Sequence, residues 1–362
     1  MSGIQVSVTN RVNVMISTDP AGQGGVASVV KSMLADSFSA DWQIRHIVSH
    51  RAGSKLSMIW ILLLALCKLT LLRLLHKPGI AHIHLASRGS FTRKYIIGCW
   101  ASRLGFKIIL HLHGGEFDQF YQRECSSAKR LKVSYLFEKA RTVVVLGDKW
   151  RTWVVSTFPQ TRDVQIIYNS GPGVVKCHQV EARSGIVFLG KLADSKGVPD
   201  LIKSFSAVIK EFPEVKLILG GEGKVSEYNQ LASSLAVDSN ITFAGWIEPD
   251  EKFALLSSAA VFVLPSYNEG FPISILEAMA CGCTIIATDV GGIPEAISHD
   301  VEGILVAPGA ISALSDAIIK ILDDPVYANK LSDNAKHKYD MYFSSQAIMP
   351  LWQQLYTEIS ND

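Results

Sequence analysis

The six cysteines (67, 99, 125, 177, 281 and 283) include no CxxC pair and no zinc-like spacing with histidine. Their pattern excludes a disulfide framework, and they read as reduced thiols of a cytosolic protein. Charge is also sparse, with 19% charged residues against 48% hydrophobic ones, a balance that excludes a disordered chain. Residues 1–13 lack the basic-then-apolar order of a signal peptide. No uninterrupted apolar run reaches the roughly 20 residues of a membrane span. The longest, at 58–67, continues toward Leu75 only past Lys68 and Arg73. The segment 56–76 therefore reads as a buried helix packed on a sheet. The alternative is a helix lying in a membrane interface, anchored by Trp60 and its basic residues.

What is present is length, alternation and an uneven distribution of charge. A chain of 362 residues suits two domains, each able to bury its own core. Residues 1–170 carry 22 Lys+Arg against 9 Asp+Glu, and the rest carries 13 against 24, so +13 is joined to −11. A basic first half predicts an anionic partner, for which nucleic acid and an anionic membrane surface both qualify. Apolar strand-like runs at 12–17, 44–48, 80–85, 107–112 and 142–146 alternate with helical patterns. Five more follow at 185–190, 215–220, 241–244, 261–264 and 284–287. The alternation predicts an α/β fold of two doubly wound, Rossmann-like parallel-sheet domains with a cleft between them. The turn-rich stretch 168–173 reads as the linker. Residues 1–172 would form the first domain, joined by a terminal helix at about 344–362, and 173–343 the second.

The chemistry concentrates in loops at the carboxyl ends of strands, where such sheets bind ligands. Glu269-Gly-Phe-Pro-Ile-Ser-Ile-Leu-Glu277 places two carboxylates eight residues apart across a helix start near Pro272. Gly190-Lys-Leu-Ala-Asp-Ser-Lys-Gly197 brings Lys191 and Lys196 to another such loop, where they can neutralise a diphosphate. Gly22-Gln-Gly-Gly25 precedes a helix, so its amides can approach phosphate closely. His111-Leu-His-Gly-Gly-Glu116 aims His113 and Glu116 at the cleft, whereas His82 and His84 read as structural. Gly22-x-Gly24-x-x-Ala27 with Asp41 also fits a dinucleotide fingerprint, which would make the chain an oxidoreductase.

These motifs together carry a resemblance. Gly190-x-Leu-x3-Lys-Gly197, Gly220-Gly-Glu-Gly223, Phe243-x-Gly245, Pro265-Ser266, Glu269-x7-Glu277 and Gly291-Gly-Ile-Pro-Glu295 stand in one order. Gly24-Gly25-Val26, Lys77-Pro-x-Ile-x-His-Ile-His84 and His113-Gly114 precede them. The set resembles the retaining GT-B glycosyltransferases called group 1, or family 4, over nearly the whole chain.

The resemblance implies a nucleotide-sugar co-substrate, with UDP favoured, and no cofactor. Glu277 would hold the ribose, and Glu269 with the amides of Gly270, Phe271 and Ile273 would hold the donor sugar. Lys191 and Lys196, helped by Gly24 and Gly25, would bind the diphosphate. His113 would act at the reaction centre with Glu269 and Lys196, Glu116 would face the acceptor, and Asn169 would serve the linker. The chain has no Asp-x-Asp, so no metal site of the other glycosyltransferase fold is expected. Where the family commonly has arginine this chain has Lys191, which keeps the charge and loses the bidentate fork. The expected partners are a lipid-linked or other saccharide acceptor and an anionic membrane, with no nucleic acid. The setting would be O-antigen or capsule synthesis at the cytoplasmic face of the membrane. An epimerase of similar build and an inactive sugar-binding subunit are the other readings.

Overall fold

The computed structural model describes residues 11–51, 53–173 and 183–362. Cys177 and the segment 1–10 lie outside the described residues. The chain divides into two compact units, Met1–Asn169 with Ile348–Asp362, and Ser170–Ala347. The division falls three residues before the linker boundary drawn from sequence, and again inside the terminal helix.

In the first unit β1 (Arg11–Thr18) leads to α1 (Gly25–Ala35), α2 (Ser37–Asp41) and β2 (Ile44–His50). Next come α3 (Lys55–Leu75), β3 (Lys77–Leu85), α4 (Gly89–Arg103) and β4 (Lys107–Leu112). A short α5 (Phe117–Gln119) continues as a π-turn over Phe120–Glu124, followed by α6 (Ser127–Lys139). β5 (Thr142–Val145), α7 (Asp148–Thr157) and β6 (Val164–Ile166) end the series. The sheet is parallel throughout, in the order β2-β1-β3-β4-β5-β6. One face of its central strands is apolar, with Val14, Ile16, Ala81, Ile83, Ile108 and Leu110 buried in one cluster, and the other face, buried as well, carries Met15, Ile109, His82, His84 and His111.

The second unit repeats the plan. It runs β7 (Ile186–Leu189), α8 (Val198–Glu211), β8 (Leu217–Gly220), α9 (Val225–Ser234), β9 (Ile241–Gly245) and α10 (Pro249–Ser258). Then follow β10 (Val261–Leu264), α11 (Ile273–Ala280), β11 (Thr284–Thr288) and α12 (Ile293–Ala296). β12 (Ile304–Val306), α13 (Ile311–Asp323) and α14 (Pro325–Tyr342) complete it. The order β12-β11-β10-β7-β8-β9 is again all parallel.

The last helix, α15 (Ser345–Asn361), belongs to the first unit from Ile348 onward. Tyr356 packs edge-on against Phe38 at 4.9 Å, and Lys107 donates a 2.7 Å hydrogen bond to the Ile359 carbonyl. It braces the first sheet.

One expectation fails. Residues 56–76 are not a buried helix: α3 buries only Ala65 and Leu69 fully, while Trp60, Leu64 and Leu74 stand in solvent. The apolar residues run round the whole helix, so a single inner stripe satisfies the core and the rest is left outside. The 21-residue helix is long and apolar enough to cross a membrane by length and composition.

Candidate functional site

In each unit the strand order reverses beside the first strand, between β1 and β3 in one and between β7 and β10 in the other. Loops leaving the carboxyl ends of such neighbours diverge to opposite faces and leave a crevice, where open α/β sheets bind ligands. In the second unit these loops are 190–197 and 265–272, the two segments singled out by sequence.

They are tightly joined. The Tyr267 amide donates to the Ser195 carbonyl at 2.9 Å. Gly197 sits at φ 69, and a Cβ there would meet the Pro265 carbonyl oxygen at 2.0 Å, so no other residue fits. Gly291, at φ 60, is equally close to the Glu269 carbonyl oxygen, 1.9 Å from a built Cβ. The loop after β11 thus clamps the Glu269 loop from the other side, with the Gly292 amide bonded to the Gly270 carbonyl at 2.8 Å.

Inside this clamp Lys196 and Glu269 form an ion pair, Nζ to Oε1 at 2.6 Å, and Ser266 Oγ donates to the same oxygen at 2.7 Å. Sequence gave the two groups separate tasks, but the structure couples them. Glu269 is buried and Lys196 half-exposed, so an arriving ligand meets a cation already oriented by a carboxylate. Lys191 is exposed at the start of the same loop. Phe271 turns into the core, its ring 5.4 Å from Phe343. Pro272 is the N-cap of α11 and helix starts at Ile273, one residue later than the sequence placed it. The Ile273 and Ser274 amides open α11, where a helix has no carbonyl of its own to offer them.

Glu277 lies one turn into α11, buried, and pairs with Lys252 of α10. Burial pushes its carboxyl up, and the Lys252 ammonium partly opposes this. Neither Lys252 nor Ser266 was assigned a role from sequence. Lys252 stands 25 residues from its partner and carries no spacing signal. Asp194, in the lysine loop, is held by Tyr228 at 2.9 Å and Lys224 at 2.6 Å.

In the first unit the loop carrying Gly24 and Gly25 is exposed at the matching reversal, and Gly24 caps α1. His113 follows β4, its amide bonded to the Leu85 carbonyl at 2.9 Å. Its Nε2 lies 2.8 Å from His84 Nδ1, with the two rings nearly parallel. His84 therefore orients His113, a link invisible until β3 and β4 pair His84 with His111. His82 Nε2 reaches His111 Nδ1 at 3.2 Å, and Tyr356 of α15 closes the cluster at 3.0 Å from His82 Nδ1. Burial holds His84 and His111 well below the ordinary histidine range and His82 at about 3, so these rings are neutral. His113, less enclosed, shifts the same way through desolvation and then the nearby Lys94 charge. Lys94 is itself buried, and desolvation pulls its ammonium down to about 7.

Glu116 does not stand free. Arg88, at a left-handed φ of 57, bonds it at 2.8 Å and Glu124 at 2.7 Å. Asp41 ends α2, before β2 rather than after it. The dinucleotide fingerprint needs its acid at the far end of that strand, so the oxidoreductase reading loses its ribose contact.

Residues 179–338, nearly the whole second unit, match the glycosyl transferases group 1 family. N-acetyl-alpha-D-glucosaminyl L-malate synthase of Bacillus anthracis is 29% identical over 183 residues, 50% of this chain and 47% of that protein. The chain spans less than half the length of the first curated relatives it matches. Sucrose-phosphate synthase from Thermosynechococcus elongatus superposes with a TM-score of 0.80 at 20% identity, covering 96% of this chain and 99% of that one. Anabaena HepE, solved with UDP and glucose, gives 0.74 at 16%, covering 96% and 100%. The two parallel six-stranded sheets share with these neighbours the GT-B fold. Within that fold, the second unit is the part that resembles the group 1 glycosyl transferases.

Proposed function

We propose that the chain moves a sugar from a nucleotide-diphosphate donor, UDP-linked, to a saccharide acceptor, with retention at the anomeric carbon. The observation that carries this is the Lys196–Glu269–Ser266 cluster at the reversal of the second sheet. A group 1 domain with that cluster, and a neighbour of the same fold solved with UDP and glucose, support a nucleotide-sugar donor.

As the bond from the anomeric carbon to the diphosphate oxygen breaks, the electron pair leaves with that oxygen. Lys191, Lys196 and the α11 amides stabilise the growing charge, more strongly in the transition state than in the bound donor. The acceptor hydroxyl attacks the oxocarbenium-like centre on the face the diphosphate leaves, and its proton passes to the departing oxygen. Glu269 grips the sugar hydroxyls with the amides of Gly270, Phe271 and Ile273, and Glu277 holds the ribose. Glu116 faces the acceptor. The reading invokes no cofactor and no metal.

The charge of the first unit and the open face of α3 support a lipid-linked acceptor and a peripheral place at the cytoplasmic face of a membrane. Assembly of a bacterial surface polysaccharide, O-antigen or capsule, is the setting this favours. A panel of nucleotide sugars screened by thermal shift, then assayed for nucleoside diphosphate release with lipid-diphosphate sugars, tests the whole reading. A stabilising donor with acceptor-dependent release is the expected result. Nicotinamide binding, release of an isomerised nucleotide sugar, or donor binding without turnover would each overturn it.

A further inference from the structure

The outer side of α3 is a continuous apolar stripe. Ile59, Trp60, Leu63, Leu64, Leu71 and Leu74 recur at spacings of one, three, four and seven along one side of the helix, and all are exposed. The stripe does not end with the helix. Trp100 of α4 is partly open and donates to Thr70 Oγ1 at 2.9 Å, and Arg73 donates to the Leu104 carbonyl at 3.0 Å, so α3 and α4 form one layer. α6 extends it, with the Tyr135 ring 6.5 Å from Tyr95 and Leu131 exposed. A soluble monomer rarely shows so large a patch without a partner for it.

The charge in the same layer selects the partner. α3, α4 and α6 together carry nine Lys and Arg open or half-open to solvent, besides the buried Lys94, and one acid, Glu138. A second copy of this chain would bring two such basic rims together, which like-charge repulsion opposes. An anionic bilayer takes both features at once, its headgroups the cations and its acyl boundary the stripe.

We propose that α3, with the exposed residues of α4 and α6, is the surface by which the first unit rests on an anionic phospholipid bilayer, and that α3 lies in the plane of the interface. It does not cross. Its inner stripe, Ala65 and Leu69 with Leu62, Leu66 and Leu72, is packed into the unit's core, and Thr70 and Arg73 are tied to the neighbouring helix and its end. A crossing would strip that packing from the core and carry Lys68 and Arg73 into hydrocarbon. In the plane, Trp60 and Trp100 sit at headgroup depth, where indole rings favour both phases. A cavity of roughly 460 Å³ beside α3, lined by Ile47, Ile61, Leu64 and Ala65 with Arg51 and Lys68, offers room for part of an acyl chain. The inference deepens the membrane-linked reading given above, on which it rests, by naming the surface and the lipid charge.

Co-sedimentation of the full chain with sucrose-loaded vesicles tests it, comparing phosphatidylcholine alone with a mixture containing phosphatidylglycerol. Binding to the anionic vesicles, weakened by salt, is the expected result. Trp60→Glu with Leu63→Glu, both at exposed positions, should lower that binding roughly tenfold or more. Size-exclusion and circular dichroism should show an unchanged fold. Charge reversal by Arg103→Glu with Lys132→Glu should weaken it less. No binding, or equal binding to neutral vesicles, would overturn the proposal. A dimer that the Glu variant dissociates, without vesicle binding, would assign the face to a second copy and overturn it as well. Nucleotide-sugar thermal shift on the same double variant should match the wild type, so a failure of donor chemistry and a failure of membrane docking are read separately.

Discussion

The two units share one plan, six parallel strands reversing beside the first, yet they treat charge in opposite ways. The second unit pairs charges at its site, Lys196 with Glu269 in the strand-end loops and Lys252 with Glu277 between α10 and α11. The first unit has His82, His84 and His111 buried in its sheet, His82 stacked on each of the other two, with Lys94 buried in α4. Both of the second unit's described histidines, His299 and His337, are exposed. Paired charges in a crevice hold their positions for an anionic ligand. Buried neutral rings fix geometry but tie the fold to pH. The crevice of one unit is built to meet charge, and the interior of the other sheet to exclude it.

The largest expected effect breaks the ligand side of that comparison. Glu277→Ala should lower donor kcat/KM by roughly a hundredfold or more, as loss of a charged hydrogen-bond acceptor strands its contacts. Steady-state kinetics with the identified donor check this, and an unchanged kcat/KM would refute the ribose role. Lys196→Met should cost about tenfold to a hundredfold in kcat rather than KM, because its charge matters most as the diphosphate leaves. A pure KM effect would make Lys196 a ground-state anchor only.

The acid response sharpens the other side. A histidine whose folded pKa is depressed costs nothing above its unfolded value near 6.5, and its stability is lost as pH falls from there toward the folded value. For His82 that window runs from 6.5 down to about 3, and His84 and His111 share its upper part. Each contributes a loss of about 1.4 kcal/mol per pH unit inside its window. Urea unfolding followed at pH 7 and pH 5 should therefore show the first unit losing stability faster than the second. Equal losses would mean the rings are not held neutral. The smallest effect concerns the exposed lysine. Lys191→Arg should change donor KM by only a few-fold, downward if the fork finds the phosphate oxygens, as direct titration of donor binding would show.

Much of this was legible in the sequence, and the reasons are local. Alternating apolar runs mark strands because a strand buried on both faces needs them, and the runs at 107–112 and 261–264 coincide with β4 and β10. The short strands β6 and β12 escaped, since three residues give no period to count. Glu269 and Glu277 stood out because a glycine and a proline between them dictate a turn and a helix start. Lys252 did not, because its partner lies in another element, and His84, though part of the motif set, shows its tie to His113 only once β3 and β4 pair.

The sequence alone determined two parallel sheets, the loops that carry lysine and carboxylate, and a basic first half. All of these follow from hydrophobic period, turn chemistry and composition. Only the tertiary structure decided that β7 lies beside β10, which puts Lys196 on a carboxylate 73 residues away. It also decided which side of α3 is covered. A helix apolar all round gives periodicity nothing to read, and burial is settled by how much neighbouring surface exists to receive it.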